Sequence, residues 1–96
     1  MVTVVRYHRY FKSQIRKLPR DVQVRILAAV KEHAETGRGD VRRITGNLDR
    51  LRVGDYRVFQ GLVGGELRVV AVFHRRFEYA GYVLRAALDR LKVMRE

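Results

Sequence analysis

Cysteine is absent from the 96 residues. Neither a disulfide framework nor a thiolate metal site is open to such a chain, which suits a reducing cytoplasm. Long apolar runs are missing too. No stretch approaches the roughly 20 residues that span a bilayer, and the N-terminus lacks an export-type apolar segment. The reading is a cytoplasmic, non-exported protein with no membrane partner. His8, His33 and His74 fall on separate predicted elements with no carboxylate at ligand spacing, so no metal is expected. No glycine loop of the phosphate-cradling kind is present, and no cofactor is implied.

Acidic residues are also scarce, with 10 Asp and Glu against 21 Lys and Arg and a net charge of +11. A field of that sign attracts nucleic acid, anionic surfaces or an acidic protein. Seventeen of the 21 basic residues are arginine, the side chain best shaped to fork onto phosphate oxygens. The charge is spread through the periodic segments and not gathered in a tail. An apolar fraction of 47% and regular periodicity argue for a folded globule, and the length suits one domain over residues 1–96.

Val2 to Tyr7 is β-branched and aromatic and reads as a strand. Phe11, Ile15 and Leu18 then fall at helical spacing. Pro19 opens a second helix that carries Val22, Ile26, Ala29 and Val30 on one stripe and stops at Thr36-Gly37. Residues 38–49 read as a polar connector without periodicity. From Arg50 to His74, three strands are joined at Gly54-Asp55 and Gly64-Gly65, both good two-residue turns because glycine accepts positive φ. A last helix spans Val83 to Met94. The expected class is α+β: a four-stranded antiparallel sheet with a helical hairpin on one face and a C-terminal helix, in the order β-α-α-β-β-β-α.

Two-residue turns set the register. Arg52 should face Arg57 and Arg50 should face Phe59 across the first turn. Phe59 should face Val70 and Arg57 should face Val72 across the second. Side chains alternate between faces, so Leu51, Val53, Tyr56, Val58, Leu62, Leu67, Val69, Ala71 and Phe73 make an apolar face. Arg50, Arg52, Arg57, Arg68 and His74 share the other, with Phe59, Val70 and Val72 among them. Setting Arg52 against Arg57 destabilises a sheet, so guanidinium groups converging around an exposed Phe59 point to a polyanion site.

Two stretches, Leu51-Arg52-Val53-Gly54-Asp55-Tyr56-Arg57-Val58 and Val72-Phe73-His74-Arg75-Arg76-Phe77-Glu78-Tyr79, resemble the RelE/ParE superfamily of toxin–antitoxin toxins, and within it the RelE messenger-RNA interferases. The resemblance implies a ribosome-dependent endoribonuclease that cuts mRNA in the ribosomal A site without a metal. The ribose 2′-OH attacks the adjacent phosphate, and an acidic antitoxin neutralises the toxin. Arg57 is implied at the scissile phosphate, Arg75 at a second phosphate or leaving-group contact, and Tyr79 against the substrate. His74 is a candidate for proton transfer, because strand 50–53 offers only arginine, a poor base. Arg50, Arg52, Arg68, Arg76 and Phe59 are the expected RNA contacts. A ParE-type gyrase inhibitor shares the fold, and an inactive RNA-binding relative is a further alternative.

Overall fold

The computed structural model describes residues 4–77 and 81–93. Five strands form one sheet in the order β1-β5-β4-β3-β2. They are β1 (Val5–Tyr7), β2 (Asp40–Thr45), β3 (Leu48–Val53), β4 (Tyr56–Val63) and β5 (Glu66–His74). β1 runs parallel to β5, and the other pairs are antiparallel. The helices are α1 (Arg9–Ile15), α2 (Arg20–Thr36) and α3 (Gly81–Val93), with a short 3-10 turn at Arg75–Phe77. None of the described helices is long and apolar enough to cross a membrane.

The helix signals in the chain are realised locally. His8 caps α1, its Nδ1 accepting from the Tyr10 N–H at 3.0 Å, which satisfies one of the donors left over in the first turn. Burial, then the charges of Arg90 and Arg9, push that imidazole below its ordinary pKa and keep Nδ1 an acceptor. Pro19 sits just ahead of α2 with its carbonyl accepting from Gln23, and Gly37 closes the helix at φ 78°.

Two cores flank the sheet. Phe11, Ile15, Ile26 and Val30 of the helical hairpin pack on Leu51, Val53, Val58, Leu67, Val69 and Val72. Ala87 and Leu91 of α3 pack on Leu48, Phe59, Val70 and Ala71 from the other side. Each fully buried Leu, Ile, Val or Phe contributes about 1.5–3 kcal/mol relative to exposure, so both layers hold the sheet. α1 also acts as a lateral neighbour of β5 beyond the short β1. Gln14 Oε1 accepts from the Val72 N–H at 3.0 Å, a donor that β1 is too short to meet.

Two expectations are corrected. The sheet has five strands and not four, because residues 40–45 form β2. Val41 joins the hairpin core and Ile44 the α3 core, while the other four residues of β2 are exposed. Two isolated apolar residues on opposite sides of an edge strand carry no period-two pattern. The second correction concerns register. Val63 faces Glu66 as expected, but a bulge between Phe59 and Gln60 sets Phe59 against Ala71 and Arg57 against Phe73. Val70 is the extra residue, and one inserted residue reverses the faces beyond it. Ala71 and Phe73 therefore lie on the α3 side, while Val72 lies on the hairpin side.

Candidate nucleic-acid interface

Across the Gly54-Asp55 turn the register is as the turn length requires. Val53 pairs with Tyr56, Arg52 with Arg57, and Arg50 with Phe59. Arg52 and Arg57 therefore share the α3-facing side of the sheet. β2 extends this row, since Asp40 pairs with Arg52 and Arg42 with Arg50. Read across the strands, one row runs Asp40, Arg52, Arg57, Phe73 and the next runs Arg42, Arg50, Phe59. With strands about 4.8 Å apart, Asp40 to Arg57 covers roughly 10 Å. Two arginine–arginine pairs directly opposite each other disfavour the sheet; fold stability alone gives no reason for them.

Asp40 is the carboxylate of this row. Its oxygens stand 3.9 Å from Arg50 Nη2 and 3.9 Å from Arg52 Nη1, and its side chain is 59% exposed. Arg57 is only 6% exposed. Its Nη1 donates to the carbonyls of Gly54 at 2.9 Å and Tyr56 at 3.1 Å, which fixes the guanidinium at the turn. Arg75 reaches the same turn, its N–H donating to the Asp55 carbonyl at 2.8 Å and its Nε lying 3.7 Å from Asp55 Oδ1. Beyond it, Arg76 lies against the exposed Phe77 ring at 6.0 Å.

The remaining expected residues fall elsewhere. Phe59 is fully buried beneath α3 and offers no open face to a base. Phe73 takes its place beside Arg57, half-buried, with its ring 6.1 Å from that of Phe59. His74 is turned by the bulge to the hairpin side, where it meets the Tyr56 ring edge-on at 5.4 Å. Its ring is not in the arginine row. Arg68 keeps the α3 side but lies five residues along β5 from Phe73, about 16 Å at strand rise. There its Nε donates to Glu66 Oε1 at 3.1 Å and its Nη1 to the Leu91 carbonyl at 3.4 Å. Tyr79 lies outside the described residues.

Sequence reasoning missed Asp40, Phe73 and Arg25. Asp40 was hidden with its strand. Phe73 sat in an all-apolar run that hides a bulge. Arg25 of α2 comes to the turn through tertiary packing, so that a Cβ placed on Gly54 would lie 3.6 Å from its Nη1.

A small five-stranded sheet with a helical hairpin on one side and a C-terminal helix on the other is a fold shared with solved RelE chains. The chain superimposes on the Escherichia coli toxin RelE, solved free as a double arginine-to-alanine mutant, with a TM-score of 0.71 and 20% identity over 95% of this chain and 99% of that one. It matches a RelB–RelE antitoxin–toxin complex from Methanococcus jannaschii at a TM-score of 0.66 and 22% identity, covering 77% and 94%. A RelE–RelB complex from Pyrococcus horikoshii OT3 matches at 0.63 and 22%, covering 78% and 97%. The fold is that of toxin–antitoxin toxins. No protein-family model and no curated protein sequence matches the chain.

Proposed function

We propose that this protein is a ribosome-dependent mRNA endoribonuclease, the toxin of a toxin–antitoxin module, acting as one domain. The observation that carries the reading is the row Asp40–Arg52–Arg57, which sets a carboxylate and two guanidiniums on one side of the sheet. The RelE-like fold supports it. RNA cleavage by internal attack needs three things: a group that removes the 2′-OH proton, cations that hold the charge developing on phosphorus, and a proton for the leaving oxygen.

Arg57, oriented by the turn carbonyls, takes the scissile phosphate, and Arg75 at the turn supports it. Arg52 and Arg50 hold the flanking backbone. Arginine cannot remove the proton, and His74 faces the other side of the sheet. Asp40 is the proton acceptor within this row. The 2′-OH proton passes to an Asp40 carboxylate oxygen, the O2′–P bond forms as the P–O5′ bond breaks, and the 5′ oxygen leaves with a proton from water. The products are a 2′,3′-cyclic phosphate and a 5′-OH. Arg76 and Phe77 stand on the approach to the site. Tyr79, assigned by resemblance, contacts the substrate. The partner is an acidic antitoxin, which a +11 surface suits, and the compartment is the cytoplasm.

The test is to add the protein to translating ribosomes and map mRNA ends. Wild type should produce cuts with 5′-OH termini, and Arg57→Ala should lower their rate about 100- to 1,000-fold with the melting temperature kept. If wild type leaves mRNA intact, or Arg57→Ala cuts as fast as wild type, the reading fails.

A further inference from the structure

Arg25 is placed at the end of the site by a different element from all the other arginines there. It lies one turn into α2, is exposed, and makes no ion pair among the described residues. It comes to rest at Gly54, the residue whose carbonyl also holds Arg57 Nη1 at 2.9 Å. Gly54 has φ 57°, so the turn already favours glycine there. The Arg25 guanidinium lies against this residue, with Nη1 3.6 Å from where a Cβ would stand. Arg25 and Arg57 thus approach one residue from two elements, with their Nη1 atoms within about 10 Å of each other across a single peptide unit. Arg75 flanks the next residue, Asp55. Gathering cations from α2, β4 and the 3-10 turn at one hairpin tip is electrostatically unfavourable without an anion to share.

We infer that the RNA strand does not end on the sheet: it passes over the Gly54–Asp55 turn, and Arg25 binds the phosphate one nucleotide beyond the scissile one. This rests on the nuclease reading. Arg25 is a binding residue on this path, remote from the reacting atoms. A phosphate contact carries no base preference, so the contact extends the length of RNA held without adding sequence selectivity.

The test uses a single-stranded RNA with a 2′-deoxy sugar at the cleavage position, so that binding is read without cleavage. Arg25→Ala should weaken binding several-fold and reduce the slope of log K against log salt by about 0.7, the loss of one single-strand phosphate contact. Arg25→Lys should keep the slope. A dinucleotide carrying only the scissile phosphate should bind Arg25→Ala and wild type alike, and on translating ribosomes kcat should be unchanged while KM rises. Arg16→Ala, at the C-terminal cap of α1, lowers the net charge equally and should leave the slope closer to wild type. The inference is overturned if Arg25→Ala binds like wild type, if Arg16→Ala loses as much slope, or if kcat falls with KM unchanged. Because the deoxy RNA is never cut, its binding results read Arg25 even where wild type shows no cleavage. The nuclease reading fails on that absence, or on Arg57→Ala cutting as fast as wild type, neither of which the binding assay measures.

Discussion

The two ends of this sheet treat arginine in opposite ways. At the Gly65 end, Arg6 of β1 and Arg68 of β5 are Cα partners, and a single carboxylate bridges them. Glu66 accepts from Arg6 Nε at 2.9 Å and from Arg68 Nε at 3.1 Å. At the Gly54 end, Arg52 and Arg57 are also partners, but Asp40 and Asp55 remain 3.7–3.9 Å from the guanidiniums they approach. Paired arginines thus share one hydrogen-bonded carboxylate at one end, while at the other Arg57 is held by turn carbonyls and the carboxylates of Asp40 and Asp55 stand back from Arg50, Arg52 and Arg75. The first arrangement serves the fold. The second leaves carboxylate and guanidinium geometry that a phosphate can reorganise.

The sharpest way to break this contrast is at Asp40. Asp40→Asn should lower mRNA cleavage by about 100- to 10,000-fold, the range of a general base; Asp40→Glu should restore part of it. An unchanged cleavage rate for Asp40→Asn in ribosome assays would remove Asp40 from the proton path.

Phe59→Ala comes next, because it tests whether this aromatic belongs to core or interface. It should destabilise the fold by about 3–5 kcal/mol, read as a fall in the denaturant midpoint. A variant of native stability with weakened RNA binding would return Phe59 to the interface.

Glu66→Gln should cost little stability and leave cleavage untouched. The Arg6 hydrogen bond, followed by that of Arg68, holds the Glu66 carboxyl below its ordinary value of 4.5. A depressed acid stabilises the fold above its unfolded pKa and loses that contribution as pH falls through the folded one. The melting-temperature difference between wild type and Glu66→Gln, positive at pH 6, should therefore close as pH drops below about 4.5. A difference that persists at pH 3 would mean Glu66 acts through packing.

How far the chain could be read follows from where its patterns survive. The register at Gly54-Asp55 was legible because a two-residue turn leaves one pairing, and that placed Arg52 and Arg57 together. α2 was legible from Pro19 to Gly37, since both ends carry conformational signals. β2 was not, because a mostly exposed edge strand with only Val41 and Ile44 apolar, on opposite sides, and bulged between Arg43 and Thr45, shows no alternation. The β5 bulge was equally silent. Val69-Val70-Ala71-Val72-Phe73 is apolar throughout, so either register buries it. His74 was misplaced for that reason, while Phe59 stands on the expected side but is covered by α3. Arg25 depends on helix-to-sheet packing, which no local pattern encodes.

The bulge at Val70 also sets what this strand can lose. Pleating makes β5 a parity counter. Val70 is the unpaired residue, so deleting it would regularise the ladder and leave Phe73 and His74 on the sides they now occupy. Deleting a paired residue such as Val72, with the bulge kept, would instead turn Phe73 toward the hairpin and bring His74 into the guanidinium row. The strand can shed its spare residue without rearranging the site, and only a loss within the paired stretch leads to a version of it with an imidazole.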